Sequence, residues 1–151
     1  MNLEPEFSYR AEVKMPVTVG PGPYGNRLYF EVVSGSFEGK RLNGKMLTGG
    51  GDWLLAGEDG FARLDVRTQF LTDDGAAIYS SYGGLLQMTP KVHAALADPK
   101  GSTEFADHYF RATPRFETGD PRYVWLNQNM FVSEGRVLPG RIVEYRCYRV
   151  V

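Results

Sequence analysis

The chain has 151 residues, with 20 aromatics (nine Phe, nine Tyr, two Trp), 27 glycines and prolines, two histidines and one cysteine. That length suits one domain over residues 1–151 with its own core. Cys147 has no partner for an internal disulfide, and His93 and His108 add too little for a thiolate and imidazole zinc site, so no metal is expected. Seventeen Lys and Arg against 18 Asp and Glu give a net charge of −1 without a basic block, which argues against nucleic acid. Met1–Arg10 contains Glu4 and Glu6 and lacks the apolar stretch of a signal peptide. No run approaches the roughly 18 apolar residues of a spanning helix, so no membrane partner is expected and the cytoplasm is the expected location, in keeping with the lone thiol.

Short alternating segments separated by Gly, Pro and Asp predict an all-β chain. In order, the strands are Glu6 to Val13, Arg27 to Val33, Gly35 to Leu47, Asp52 to Leu55, Gly60 to Leu71, Ala76 to Tyr82, Tyr109 to Phe116, Tyr123 to Val132 and Arg141 to Val150. Val19 to Gly25, a Gly-Pro-Gly-Pro series, and Asp98 to Asp107 read as loops. One short helix is predicted over Thr89 to Ala97, with Thr89 as N-cap, Pro90 in the first helical position and Asp98-Pro99 as the stop.

The hairpin at Thr72-Asp73-Asp74-Gly75 decides which side chains meet. A three-residue loop, favoured because Gly75 then takes the left-handed position after a type I turn, brings Asp65, Arg67 and Gln69 beside Tyr79 and Ser81. A two-residue type I′ turn would put Ile78, Ser80 and Tyr82 there instead. Each strand has one greasy face and one face mixing aromatics with polar groups. If the mixed faces line a barrel, its lumen is a small-molecule pocket; if the greasy faces do, it is a plain core.

The segments Gly50-Gly51-Asp52-Trp53, Leu71 to Tyr79, Tyr109 to Gly119 (YFRATPRFETG) and Tyr123-Val124-Trp125-Leu126-Asn127 resemble those of the bacterial and fungal family called domain of unknown function 3237. The likeness covers essentially the whole chain and implies a single antiparallel β-barrel of calycin (lipocalin-like) type, here eight to ten strands with one short helix. It carries no agreed catalytic motif. Some members sit in pathways for aromatic natural products, where cofactor-free cyclisation or isomerisation has been proposed. Asp52, Trp53, Tyr79, Arg111, Thr113, Glu117 and Asn127 fall on family motif positions, whereas Ser81-Tyr82-Gly83 lies outside them.

Three groups could carry chemistry. Asp65, Arg67 and Tyr79 could serve as base, anion holder and oxyanion donor, or form a solvated face with a weak ion pair. Arg111, Thr113 and Asn127, with Trp125 as a stacking wall, could present a guanidinium, a hydroxyl and an amide to one ligand; Arg111 could equally pair with Glu117 or Asp107, and Asn127 satisfy a turn. The glycines before Asp52 and Trp53 could aim Asp52 into a cavity, or mark a bulge at a barrel corner. Cys147 reads as a buried, inert thiol.

The resulting expectation is a pocket for a small aromatic or apolar molecule, used without a cofactor for isomerisation, cyclisation or lyase-type cleavage. Asp65 or Asp52 is the base, Tyr79 the acid, and Arg67 and Arg111 hold an anionic part of the substrate. Thr113, Trp53, Trp125 and Asn127 complete the binding set. A non-catalytic carrier or sensor of an aromatic ligand is the alternative, and a homo-oligomer with aromatic faces at its interface a third.

Overall fold

In a computed structural model, which describes residues 1–151, eleven strands join one antiparallel sheet that closes on itself. The strands are β1 (Leu3–Val13), β2 (Val17–Gly22), β3 (Gly25–Gly39), β4 (Gly44–Met46), β5 (Gly51–Ala56), β6 (Phe61–Thr72), β7 (Ala77–Gln87), β8 (Phe110–Ala112), β9 (Arg115–Glu117), β10 (Phe131–Leu138) and β11 (Ile142–Val150). Eight of them form the ring β1-β3-β5-β6-β7-β8-β10-β11, which returns to β1; β2, β4 and β9 pair outside it. A ring of eight is just wide enough for side chains to fill or for one small ligand.

The hairpin between β6 and β7 has the favoured register, with the Thr72 N–H bonded to the Ala76 carbonyl at 2.9 Å and Gly75 at φ 93°. Thr72 fixes the loop by accepting the Ala76 N–H at 2.7 Å and donating to Asp74 Oδ1 at 2.6 Å. Gln69 therefore faces Tyr79, and Arg67 faces Ser81. The helix α1 (Pro90–Ala97) forms as its caps dictate, the Val92 N–H donating to Thr89 Oγ1 at 3.2 Å.

Four segments differ from the sequence expectation. The strands expected over Arg27 to Val33 and Gly35 to Leu47 are one strand, β3, which runs through Ser34 to Gly39 and is followed by the short β4. Gly20 to Gly22 of the Gly-Pro-Gly-Pro series end the edge strand β2 rather than forming a loop, and Pro23 starts the turn: β2 pairs only with β3, so Pro21 needs no partner for its missing donor, and Gly20 at φ 94° takes up a bulge. The strand expected over Tyr109 to Phe116 is broken into β8 and β9 around Pro114. Tyr123 to Val132 is not one strand. Asp120 caps a 3-10 helix over Pro121–Leu126 by accepting the Arg122 N–H at 3.0 Å, with Pro121 in the first helical position, and β10 begins only at Phe131.

The interior takes the greasy faces. Even-numbered residues of β6 and β7 point inward, from Ala62 to Phe70 and from Ile78 to Leu86; β1, β10 and β11 contribute odd-numbered ones such as Tyr9, Phe131 and Tyr145. One half of the barrel is a solid aromatic plug, in which Phe70 meets Phe37 at 5.1 Å and Tyr9 at 5.5 Å, and Phe116 meets Phe131 at 5.1 Å. Each such ring hides roughly 150–250 Å² and dominates the core energetics. The other half, toward α1, is not filled.

Candidate functional site

The unfilled half holds a cavity of about 60 Å³, lined by residues from Ala11 and Phe30 to Val137 and Tyr145 and covered in part by Leu96 of α1. Its lining is hydrophobic except for Asp52 and Thr68. Tyrosine phenols enter the same space. Tyr145 stacks on Tyr9 at 4.9 Å and meets Tyr82 edge-on at 5.8 Å, so the three rings lie where the aromatic plug gives way to the cavity.

Asp52 reaches this place because β5 and β6 part locally. The ladder pairs Gly51 with Arg67 and Asp52 with Val66, then resumes at Leu55 opposite Arg63. In the gap, the Asp65 N–H donates to Asp52 Oδ1 at 2.9 Å, a side chain replacing a ladder bond. Cross-strand neighbours Phe30 and Val66 both face the lumen, which puts Asp52 on the inner face. Burial pushes its carboxyl up to about 7; the Asp65 N–H opposes this, the nearby Asp65 charge adds to it, and Arg27 draws it back down. The Arg27 guanidinium itself is held by the Trp53 carbonyl at 2.8 Å.

The phenols are held protonated. Burial raises Tyr9, Tyr82 and Tyr145 above the ordinary tyrosine value, and the Asp52 charge acts in the same direction on Tyr82 and Tyr145. The sealed Tyr9 hydroxyl has no hydrogen bond of good geometry, and Thr68, Ser80 and Ser133 also carry unpartnered buried hydroxyls. Unsatisfied buried hydroxyls are costly, about 1–3 kcal/mol each. An apolar wall, a carboxyl able to take or give a proton near neutrality, and phenols that stay protonated can together move protons on a bound molecule.

The expected site residues divide. Asp52 alone of them enters the cavity. Arg67 is a diagonal neighbour of Tyr79, as the hairpin register requires, whereas Asp65 faces Gly83 further along the ladder, and all three are on the outer face; Tyr79 is 40% exposed. They are outside because the even-numbered face carries Leu64, Val66, Phe70 and Ile78, whose burial dominates. Trp53, also 40% exposed, packs on Tyr29 at 4.7 Å outside the barrel. Arg111 is outside too, 3.7 Å from Glu134 and over the Tyr109 ring at 5.3 Å.

Trp125 and Asn127 do not share a strand face with Arg111 and Thr113. Trp125 sits in the 3-10 helix under the Arg41 guanidinium, 3.6 Å from the ring centre. Asn127 closes the loop by accepting the Thr118 N–H at 2.9 Å and donating to the Thr118 carbonyl at 2.8 Å. Tyr79, Thr113 and Asn127 border a second and larger hollow of about 820 Å³, which reaches Phe116, Leu126 and Phe131 and includes neither Arg67 nor Arg111. Cys147 is 1% exposed, and burial raises its thiol.

Tyr82, Tyr145 and Tyr9 were absent from the expected site. A signal existed: each is a tyrosine between small or apolar residues on its strand face, Ser80 and Gly84, Val143 and Cys147, and Phe7 and Ala11.

Fold and cavity together define a closed eight-stranded antiparallel barrel with extra strands, one short helix and an apolar luminal pocket. The chain belongs to the family described as protein of unknown function (DUF3237), whose model matches residues 1–150. A UPF0311 protein of Clostridium acetobutylicum is 35% identical over 147 residues, covering 95% of this chain and 90% of that one. A crystal structure of a beta-barrel like protein from Acinetobacter baumannii superposes with a TM-score of 0.82 at 32% identity, covering 98% of this chain and 94% of that one. A crystal structure of an enzyme from Penicillium herquei shares the fold, with a TM-score of 0.69 at 20% identity over 97% of this chain and 93% of that one. The chain has no helix long and apolar enough to cross a membrane.

Proposed function

We propose that the barrel binds a small, largely apolar molecule in its lumen and performs cofactor-free acid and base chemistry on it, with Asp52 as the proton acceptor. The observation that carries this reading is the Asp52 carboxyl, raised to about 7 in a cavity lined almost wholly by apolar side chains. A carboxyl kept for structure alone would be expected to find a cation. Here no Lys, Arg or His lines the cavity, and Oδ1 has only a backbone N–H. A base with its pKa near the working pH combines a useful fraction of the reactive form with enough driving force for proton transfer. The Penicillium herquei barrel, described as an enzyme, is consistent with catalysis on this fold.

The test uses deuterated water. The protein is incubated with an extract of small metabolites, and mass spectrometry records which molecules gain deuterium or change mass or retention. The wild-type chain is expected to alter at least one species, with a rate that rises as the pH passes through about 7, and Asp52→Asn to abolish the change. Equal conversion by Asp52→Asn would remove the reading, and retention of an unaltered ligand would favour a carrier.

A further inference from the structure

We infer that the molecule taken by the lumen is a neutral carbonyl compound of about one ring, whose oxygen is bound by the Tyr82 and Tyr145 phenols and whose adjacent C–H faces Asp52. This rests on the acid and base reading above and adds a substrate class to it. Three observations lead there: the charge of the wall, the surplus of hydroxyl protons and the size of the cavity.

The wall contains no Lys, Arg or His, and its only ionisable groups are Asp52, Tyr82 and Tyr145. Burial disfavours the anionic form of all three. A substrate carboxylate or phosphate would enter a space that already resists negative charge, with no cation to receive it. The arginines that the sequence suggested for holding an anion, Arg67 and Arg111, are on the outer surface. An ammonium ligand fits poorly as well. It would need a carboxylate that is ionised throughout, and it offers no acceptor to the phenols.

The hydroxyls want an acceptor. No protein acceptor takes the Tyr9, Tyr82 or Tyr145 hydroxyl: Tyr9 is sealed without a partner, and none of the three forms a side-chain hydrogen bond. Each of the three therefore keeps an O–H proton that no protein group accepts. Of the three, Tyr82 and Tyr145 line the cavity. The protons of Tyr82 and Tyr145 are thus available to one oxygen in the cavity, and a carbonyl oxygen is an acceptor without a charge. The cavity of about 60 Å³ has room for roughly four to six waters, comparable to one six-membered ring with its substituent oxygen.

The chemistry closes without a co-reactant. The C–H bond next to the carbonyl breaks, and its proton goes to Asp52. The electron pair forms a C=C bond while the carbonyl π electrons move to oxygen, giving an enolate that accepts from the phenols. Asp52 then trades the proton with water and delivers a solvent proton to the same carbon, which is exchange, or returns the proton to the far carbon of a conjugated system, which shifts the double bond.

The probes are cyclohexanone and cyclohex-2-en-1-one as neutral rings, and cyclohexanecarboxylate and benzoate as anions of similar size. Binding is followed at pH 8 by ligand-observed NMR, and exchange of C–H protons by proton NMR in deuterated water. The neutral rings are expected to bind saturably, Tyr82→Phe and Tyr145→Phe each to weaken them about tenfold or more, and the carboxylates not to bind. Protein-dependent exchange should be at least tenfold above buffer and disappear in Asp52→Asn.

Carboxylates that bind as tightly as the ketones, or ketones that do not bind at all, overturn the substrate class; both results come from the unaltered chain and need no variant to fold. Ketones that bind through the phenols without any exchange uphold the class and sink the proton-transfer reading. Ketones that do not bind, together with deuterium uptake in the metabolite extract that Asp52→Asn abolishes, do the reverse.

Discussion

Replacing Asp52 by Asn should make the protein more stable at pH 8 and leave it almost unchanged at pH 4. The folded carboxyl titrates at about 7 against 3.8 for an ordinary aspartate. A gap of about three units, at roughly 1.4 kcal/mol each, sets an upper limit of about 4 kcal/mol of folding free energy, which the partial exposure of Asp52 lowers. The sign follows from proton binding. Below about pH 4 both folded and unfolded chains hold the proton, and the contribution is fully present. Between about pH 4 and 7 the unfolded chain releases it first, so stability falls with rising pH; above about 7 both are ionised and the loss is complete. Asparagine has no proton to lose, and its Oδ1 can still accept the Asp65 N–H. Glu6, Asp74 and Asp107, all lowered by their partners, titrate in both proteins and largely cancel in the difference. Urea titrations of both chains at unit steps from pH 4 to 8 should therefore show an Asn advantage that grows with pH toward a limit of about 4 kcal/mol, or at most on the order of 10 °C in Tm for a chain of this size. An advantage that does not change with pH, or a variant less stable at pH 8, would refute the reasoning.

Other consequences are simpler to check. Cys147, 1% exposed with its thiol raised by burial, should resist a disulfide reagent in the native protein at pH 8 and react at once in urea. The Tyr123 hydroxyl donates to both Asp74 oxygens at 2.9 and 2.8 Å and ties the 3-10 helix to the β6–β7 hairpin, so Tyr123→Phe should cost about 1 kcal/mol in urea denaturation. A Cβ added at Gly135 would stand 2.8 Å from the Phe110 ring, which packs on Tyr145 at 5.2 Å; Gly135→Ala should cost about 1–3 kcal/mol and alter the near-UV signal of the tyrosines. Asp65→Asn, Arg67→Gln and Tyr79→Phe, all on the outer face, should each change stability by less than about 0.5 kcal/mol and leave luminal ligand binding intact.

The barrel was legible wherever local chemistry had a single solution. Thr72 to Gly75 admits a type I turn with glycine in the left-handed position, and Thr89-Pro90 starts a helix whatever surrounds it. Asp120-Pro121 carried the same kind of signal, but the alternation of Trp125, Asn127, Asn129 and Phe131 masked it, because alternation also arises where a 3-10 turn runs into a strand. The site was harder to read because the lumen is chosen by the whole barrel. In β6, Asp65 and Arg67 stand one residue from Leu64 and Val66, and only the closure of all eight strands decides that the leucine and valine turn inward. Asp52 was recoverable from the glycines before it. Its partners were not, since Tyr82 and Tyr145 look like core aromatics until the rings are seen to border unfilled space beside a carboxyl.

The most direct test of a luminal carboxyl poised for proton transfer is a carbon-detected NMR titration of the Asp52 side-chain carbonyl, assigned by its loss in Asp52→Asn. A midpoint near 7 is predicted. A midpoint of about 4, the value of a solvated aspartate, would contradict it.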